Sequence, residues 1–140
     1  MLFRSADEDR RAAVFGDVHE ELNQRVGSQN PEHLTPLFEI LHSMPDQINR
    51  SQAEQLIERL SDRLKDNLNQ NQQETILNQI EGFSQFYGKE NQILDRIENL
   101  LNTTKYNNVR EASEELLDKI GETEEVEDNR VENIRENYIE

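Results

Sequence analysis

Gln72-Gln73-Glu74-Thr75-Ile76-Leu77-Asn78-Gln79-Ile80-Glu81-Gly82-Phe83-Ser84-Gln85-Phe86-Tyr87-Gly88-Lys89-Glu90-Asn91-Gln92-Ile93-Leu94-Asp95-Arg96-Ile97-Glu98-Asn99-Leu100-Leu101-Asn102-Thr103 carries the most regular apolar pattern in the chain. Ile76, Ile80, Phe83, Tyr87, Leu94, Ile97 and Leu101 share one register in steps of four and three, and only Glu90 interrupts it. That spacing follows one face of an α-helix. It predicts a long central helix over 72–103, roughly seven to eight turns, offering an apolar helix–helix interface. Gly82, Gly88 and the polar step Gly88-Lys89-Glu90-Asn91 predict a kink or a tight helical hairpin within it. An unbroken helix would expose enough of the stripe to demand a partner. A turn at Gly88 would let the domain close on itself.

Working outward, Ser51 and Glu54 have capping-box spacing and open a helix predicted over 52–69, with Leu56, Ile57, Leu60, Leu64 and Leu68 inward. Asn71 and Glu74 form a similar pair at the head of the central stretch. Before the break at Met44-Pro45-Asp46, Thr35 and Pro36 read as N-cap and first residue of a short helix over 36–43. Leu37, Phe38, Ile40, Leu41 and Met44 cover most of its circumference, which predicts deep burial. The first helix is expected over 6–26, from the Ser5–Glu8 pair to a stop at Gly27, with Val14, Phe15, Val18, Leu22 and Val26 inward.

Downstream, Asn108 and Glu111 cap a helix over 109–120, with Val109, Ala112, Leu116, Leu117 and Ile120 inward and Gly121 ending it. Residues 122–140 hold eight acids against two arginines and form an acidic tail, disordered or docked as a helix through Val131, Ile134 and Tyr138. Repeated cap signals followed by stripes of helical period, without a two-residue alternation, predict an all-α bundle of about five to six helices. The bundle domain is expected to span 1–121.

Charge is the strongest compositional signal. Thirty acidic residues face fifteen basic ones, for a net charge of −15, and the cations are eleven arginines and four lysines. Abundant carboxylate with little lysine suits a surface that stays hydrated in concentrated salt, where self-repulsion is screened. A salt-adapted origin is the expectation, ahead of an ordinary acidic protein or a surface that imitates nucleic acid. The chain has no cysteine, so disulfides, thiolate metal sites and cysteine nucleophiles are absent together. The start, Met1-Leu2-Phe3-Arg4-Ser5-Ala6-Asp7-Glu8, turns acidic before an apolar signal core could form, and no run of 18 apolar residues occurs. The expected location is cytoplasmic, or intracellular for a virus-encoded protein, with no membrane contact.

Chemical motifs are sparse. Gly16-Asp17-Val18-His19 resembles the first metal-binding motif of metallophosphoesterases, but the further Asp, Asn and His motifs of that family do not follow, and Val18 falls on a helical stripe. His33 and His42 are nine residues apart, not the four that bring two imidazoles to one metal on a helix. No phosphate-cradling glycine loop or nucleophile elbow is present. A non-enzymatic protein is expected, without cofactor, metal or evident small-molecule ligand.

Acidic faces are the clearest candidate binding features. Glu111, Glu114, Glu115, Asp118 and Glu122 fall opposite the apolar face of the 109–120 helix, and Glu124, Asp128, Glu132 and Glu136 recur every four residues in the tail. Like charges so spaced oppose an isolated helix, which predicts that the tail is helical only when its apolar side docks or salt screens it. Residues 92–120, with Lys105-Tyr106-Asn107-Asn108-Val109-Arg110-Glu111-Ala112 at their centre, resemble the two helices of ribbon-helix-helix DNA-binding proteins. The likeness is a Tyr-containing turn followed by a capped helix with Arg-Glu-Ala, over about a fifth of the chain. It implies a dimeric DNA-binding regulator whose basic strand precedes the helices. Phe83-Ser84-Gln85-Phe86-Tyr87, which occupies that place here, has no basic residue. Phosphate affinity comes chiefly from clustered Lys and Arg, so direct nucleic-acid binding is not favoured. The leading expectation is a protein that works by protein–protein contact or self-assembly as a homo-oligomer. A DNA-mimic inhibitor and the DNA-binding regulator follow as alternatives.

Overall fold

A computed structural model describes residues 6–65, 68–123 and 129–139. Among these residues there are seven helices and no strand: α1 (Ala6–Arg25), α2 (Pro31–His42), α3 (Arg50–Arg63), α4 (Gln70–Glu81), α5 (Glu90–Thr103), α6 (Asn107–Gly121) and α7 (Arg130–Tyr138). The all-α expectation holds, with more helices than the five to six expected. No helix among them is long and apolar enough to cross a membrane.

The extra helix comes from the central stretch. Of the forms expected for 72–103, a long helix, a kinked one or a tight hairpin, the chain takes the hairpin: α4 and α5 are separated by a turn at 82–89. Tyr87 and Gly88 both take positive φ, 51° and 84°, which no continuous right-handed helix accommodates. Two further features hold the turn. Phe83 and Phe86 are both buried, and Arg50 Nη2 donates to the Tyr87 carbonyl at 3.4 Å. Lys119 on α6 donates to the carbonyls of Glu81 and Phe83, the latter at 2.7 Å, and so satisfies the end of α4. The apolar register spans the break because both helices turn that face to one core.

Helix starts also differ from those expected, in α3 and α4 for a common reason. Asn-x-x-Gln boxes win over the later Ser51–Glu54 and Asn71–Glu74 pairs. Asn49 and Asn69 each accept the N3 backbone N–H at 2.8 Å, while Gln52 and Gln72 accept the cap N–H at 3.1 Å. The second helix begins five residues early, at Pro31, because Asn30 caps it by accepting from Glu32 N at 3.0 Å. Pro31 is the N-terminal proline, whereas Pro36 sits inside the helix on its exposed side, where water can serve the carbonyl left without a donor. The sixth helix starts at Asn107 without a side-chain cap, so the Asn108–Glu111 pair is not used. Gly27 does not take the left-handed conformation of a glycine stop. Arg63 reaches across instead and donates to the Val26 and Gln29 carbonyls at 3.1 and 2.9 Å.

One core runs through the bundle. α4 packs against α2, α3 and α6; α5 packs against α3, α6 and α7; α1 packs on α2. Ile76, Ile80, Phe83, Leu94, Ile97 and Leu101 are all buried within this chain, and Tyr87 is half-buried. The stripe is therefore satisfied internally by α4 and α5 folding onto their neighbours. α2 is less enclosed than its composition predicted: Leu34, Phe38 and Leu41 are buried, but Ile40 is exposed. Val14 on α1 is exposed as well. Within the tail, α7 docks through buried Val131 and Ile134, and its ends are tied by Arg130 to Asp95 and by Arg135 to Asp118.

Candidate functional site

α4 meets α6 on one flank and α2 on the other, and each seam opens into a surface concavity. The α4–α6 groove encloses about 260 Å³ and is bordered by Glu74 and Asn78 of α4 and by Asn108, Glu111 and Glu115 of α6. The helical period explains the arrangement. Ala112, Leu116 and Lys119 form the edge of α6 turned to α4, so Glu111 and Glu115 fall beside that edge on the rim. Glu74 and Glu81 lie two turns apart on α4 and continue the acidic rim. Partial burial, reinforced by the Glu115 carboxylate, raises the pKa of Glu81, against the opposing pull of Lys119. No ion pair among the described residues neutralises Glu74, Glu111 or Glu115.

The α2–α4 cleft is larger, about 340 Å³, and is lined by Thr35, Phe38, Glu39 and His42 from α2 and by Thr75, Asn78 and Gln79 from α4. Gln79 is buried at its floor. Its Nε2 donates to the Pro31 carbonyl at 2.8 Å, while its Oε1 has no partner among the described residues. His42 closes one end. Its ring stands edge-on to Phe83 with centroids 4.7 Å apart and tilts on Phe38 at 5.7 Å, and its Nε2 is also without a partner. Burial, with the nearby Lys119 charge, holds the imidazole at a pKa of about 4, so it is neutral over the physiological range. Beyond His42 lies a small, mostly apolar hollow of about 80 Å³ against Leu41, Pro45, Ile48, Phe83 and Tyr87.

The acidic residues singled out from the sequence are divided among different settings. On α6, Glu111 and Glu115 face the groove, Asp118 is paired with Arg135 of α7, Glu114 is half-buried, and Glu122 is exposed just beyond the helix. Glu132 and Glu136 are exposed on α7, and Glu124 and Asp128 lie outside the described residues. The apolar set Ile76, Ile80, Phe83, Tyr87, Leu94, Ile97 and Leu101 lines the interior rather than a surface.

Asp17 and His19 sit in the middle of α1, with His19 stacked on Phe15 at 6.0 Å, and no strand precedes them among the described residues. Phe83–Tyr87 belongs to the α4–α5 turn, not to a strand. Among the described residues no cluster of three or more His, Asp or Glu side chains is placed to hold a metal ion. Glu74, Glu81, Gln79 and Lys119 carry the geometry of the two seams, and apart from the capping pair that includes Glu74 no sequence signal marks them. Each acts across a helix–helix contact that only the tertiary packing creates. Compared with family models, with curated proteins and with solved structures, the chain matches none of them.

Proposed function

We propose that this chain is a non-enzymatic, acidic helical protein that works by protein–protein contact, and that the α4–α6 groove receives cationic side chains of its partner. The supporting observation is the uncompensated rim of Glu74, Glu111 and Glu115, beside a Glu81 whose ionisation is already opposed by Glu115. Many of the described cations have partners of their own. Arg59, Arg63, Arg110 and Lys119 donate to main-chain carbonyls near helix ends, and Arg11, Arg25, Lys89, Arg130 and Arg135 pair with carboxylates outside the groove. A guanidinium or ammonium group from a partner would meet acceptors on both walls. Titrating the protein with a short Arg/Lys-rich peptide should perturb the NMR signals of 74–81 and 108–115 first. Glu111→Gln with Glu115→Gln should weaken binding several-fold. Equal perturbation of every helix would defeat the assignment of this groove.

A second reading, adaptation to concentrated salt, is favoured by a different observation: α1, α2, α3, α5, α6 and α7 each carry exposed carboxylates, and those of α4 are half-buried. A dispersed distribution supports a hydrated acidic surface more than a single track imitating phosphates. Raising KCl from about 0.1 to 2 M should then raise the melting temperature. A flat or falling response would count against that origin.

A further inference from the structure

His42 and Lys119 meet at the same helix end. The His42 ring occupies the space above Gly82 so closely that a Cβ there would overlap it. Lys119 holds the carbonyls on either side of that glycine, those of Glu81 and Phe83. The ring's Nε2 is buried with no acceptor among the described residues. A neutral imidazole tolerates this position by leaving that nitrogen unprotonated. An imidazolium carries N–H groups on both nitrogens, and one would face a site with no acceptor.

We propose that this contact is an acid-sensitive latch, in which protonation of His42 sets it against Lys119 at the end of α4 and releases the last turn of α2 from the α4–α5 turn. The way out is already formed. The wider α2–α4 cleft lies on one side of the ring and the small apolar hollow on the other, so the imidazolium can swing towards water without crossing the core.

Charges on the neighbouring elements act in both senses, and burial with Lys119 prevails. Glu39 on α2 and Glu81 on α4 attract an imidazolium. Burial and then Glu115 raise the pKa of Glu81, so its attraction weakens on acidification. Glu115 on α6 acts through Glu81. On α1, Arg11 is paired with Asp46 just beyond α2; from α3, Arg50 is paired with Glu54 and lies over the Tyr87 ring. The negative C-terminal end of α2 favours the imidazolium, but the carbonyls ending α4 are already committed to Lys119. Burial and Lys119 keep the latch shut at neutral pH, consistent with a His42 pKa of about 4.

Amide hydrogen exchange followed by NMR between pH 7 and 4.5, with the His42 ring titrated in parallel, tests the latch. Exchange at 40–43 and 82–87 should accelerate about tenfold more than in the centre of α5, after correction for intrinsic rates. His42→Gln should abolish that difference, and Lys119→Gln should move the His42 midpoint upward. Wild-type exchange that accelerates uniformly across the chain, or a His42→Gln protein with the same local pH response, would overturn the proposal. Should Lys119→Gln fail to fold, the wild-type and His42→Gln comparison still decides.

Discussion

α4 is held on its two flanks in different ways. Towards α6 the seam holds buried Ala112 and Leu116 with Glu111 and Glu115 at its rim, and Lys119 closes its end with hydrogen bonds to the main chain. Towards α2 the seam contains a buried amide, Gln79, with an unpaired oxygen, and a neutral imidazole with an unpaired nitrogen, beside the largest of the clefts described. Buried polar atoms without partners each forgo a stabilising bond, and a cleft leaves its lining with fewer packing contacts. The α6 flank should therefore be the firm one and the α2 flank the first to open.

The largest expected effect is on the firm flank. Leu116 is fully buried one turn beyond Ala112 on the α4-facing edge of α6. Leu116→Ala removes three buried carbons with little freedom to collapse around the gap, so urea unfolding should show a loss of about 2–5 kcal/mol. A loss below about 1 kcal/mol would reverse the ranking of the two flanks.

Acidification addresses the weaker flank and comes next. An unfolded His42 takes up its proton near 6.5, and the folded one only near 4. Between those values the unfolded chain binds more protons, so stability falls as pH drops from 6.5 to 4 and loses nothing further from this group below that. At about 1.4 kcal/mol per pH unit the window is worth about 3 kcal/mol, a substantial share of a small domain's stability. His42→Gln should flatten the melting temperature across this window; an unchanged slope would assign the acid sensitivity to other groups.

These contrasts were only partly legible in the sequence. Helical period fixed the inward residues of α3, α5 and α6 because burial follows the 3.6-residue repeat wherever a helix lies on one core. At 72–103 the period alone favoured one long helix, and the glycines with the polar step at 88–91 supplied the hairpin alternative that the chain takes. Two helices facing a common core preserve an apolar register across a turn, and Gly88 alone does not reveal that Tyr87 also goes left-handed. Cap positions moved by two residues in α3 and α4 because Asn-x-x-Gln and Ser- or Asn-x-x-Glu pairs compete locally, and spacing ranks them poorly. Of the candidate groove, Glu111 and Glu115 were visible as a charged face. Glu74 and Glu81 join them only because α4 packs beside α6, a contact that no local pattern encodes.

Gly82 sharpens the comparison from the turn. Its backbone is right-handed helical, with φ −65° and ψ −18°, so alanine is conformationally welcome and alone would stabilise by about 0.4–1 kcal/mol through the unfolded chain. The His42 ring reverses that sign. Gly82→Ala should cost about 1–3 kcal/mol, the usual range for overpacking a filled site. In a His42→Ala background the same change should become neutral or stabilising. A double-mutant cycle therefore measures how firmly α2 presses on the end of α4, and additive effects would mean that the ring simply moves aside.

The smallest effect lies on the rim of the firm flank. Glu81 is only partly buried, and its raised pKa comes first from burial and then from Glu115. Its carboxyl is harder to ionise folded than unfolded, so ionisation lowers stability as pH rises through its titration, the opposite sense to His42. Glu115→Gln removes one of the two causes. Glu81 should then titrate closer to an ordinary carboxylate by side-chain NMR, while the neutral-pH stability gain stays below about 0.5 kcal/mol, as expected for exposed charges. An unmoved Glu81 titration would separate the two carboxylates and weaken the case that this rim acts as one acidic surface. A clear downward shift would instead confirm that α4 and α6 present their carboxylates jointly, the condition under which one cationic side chain can engage both walls.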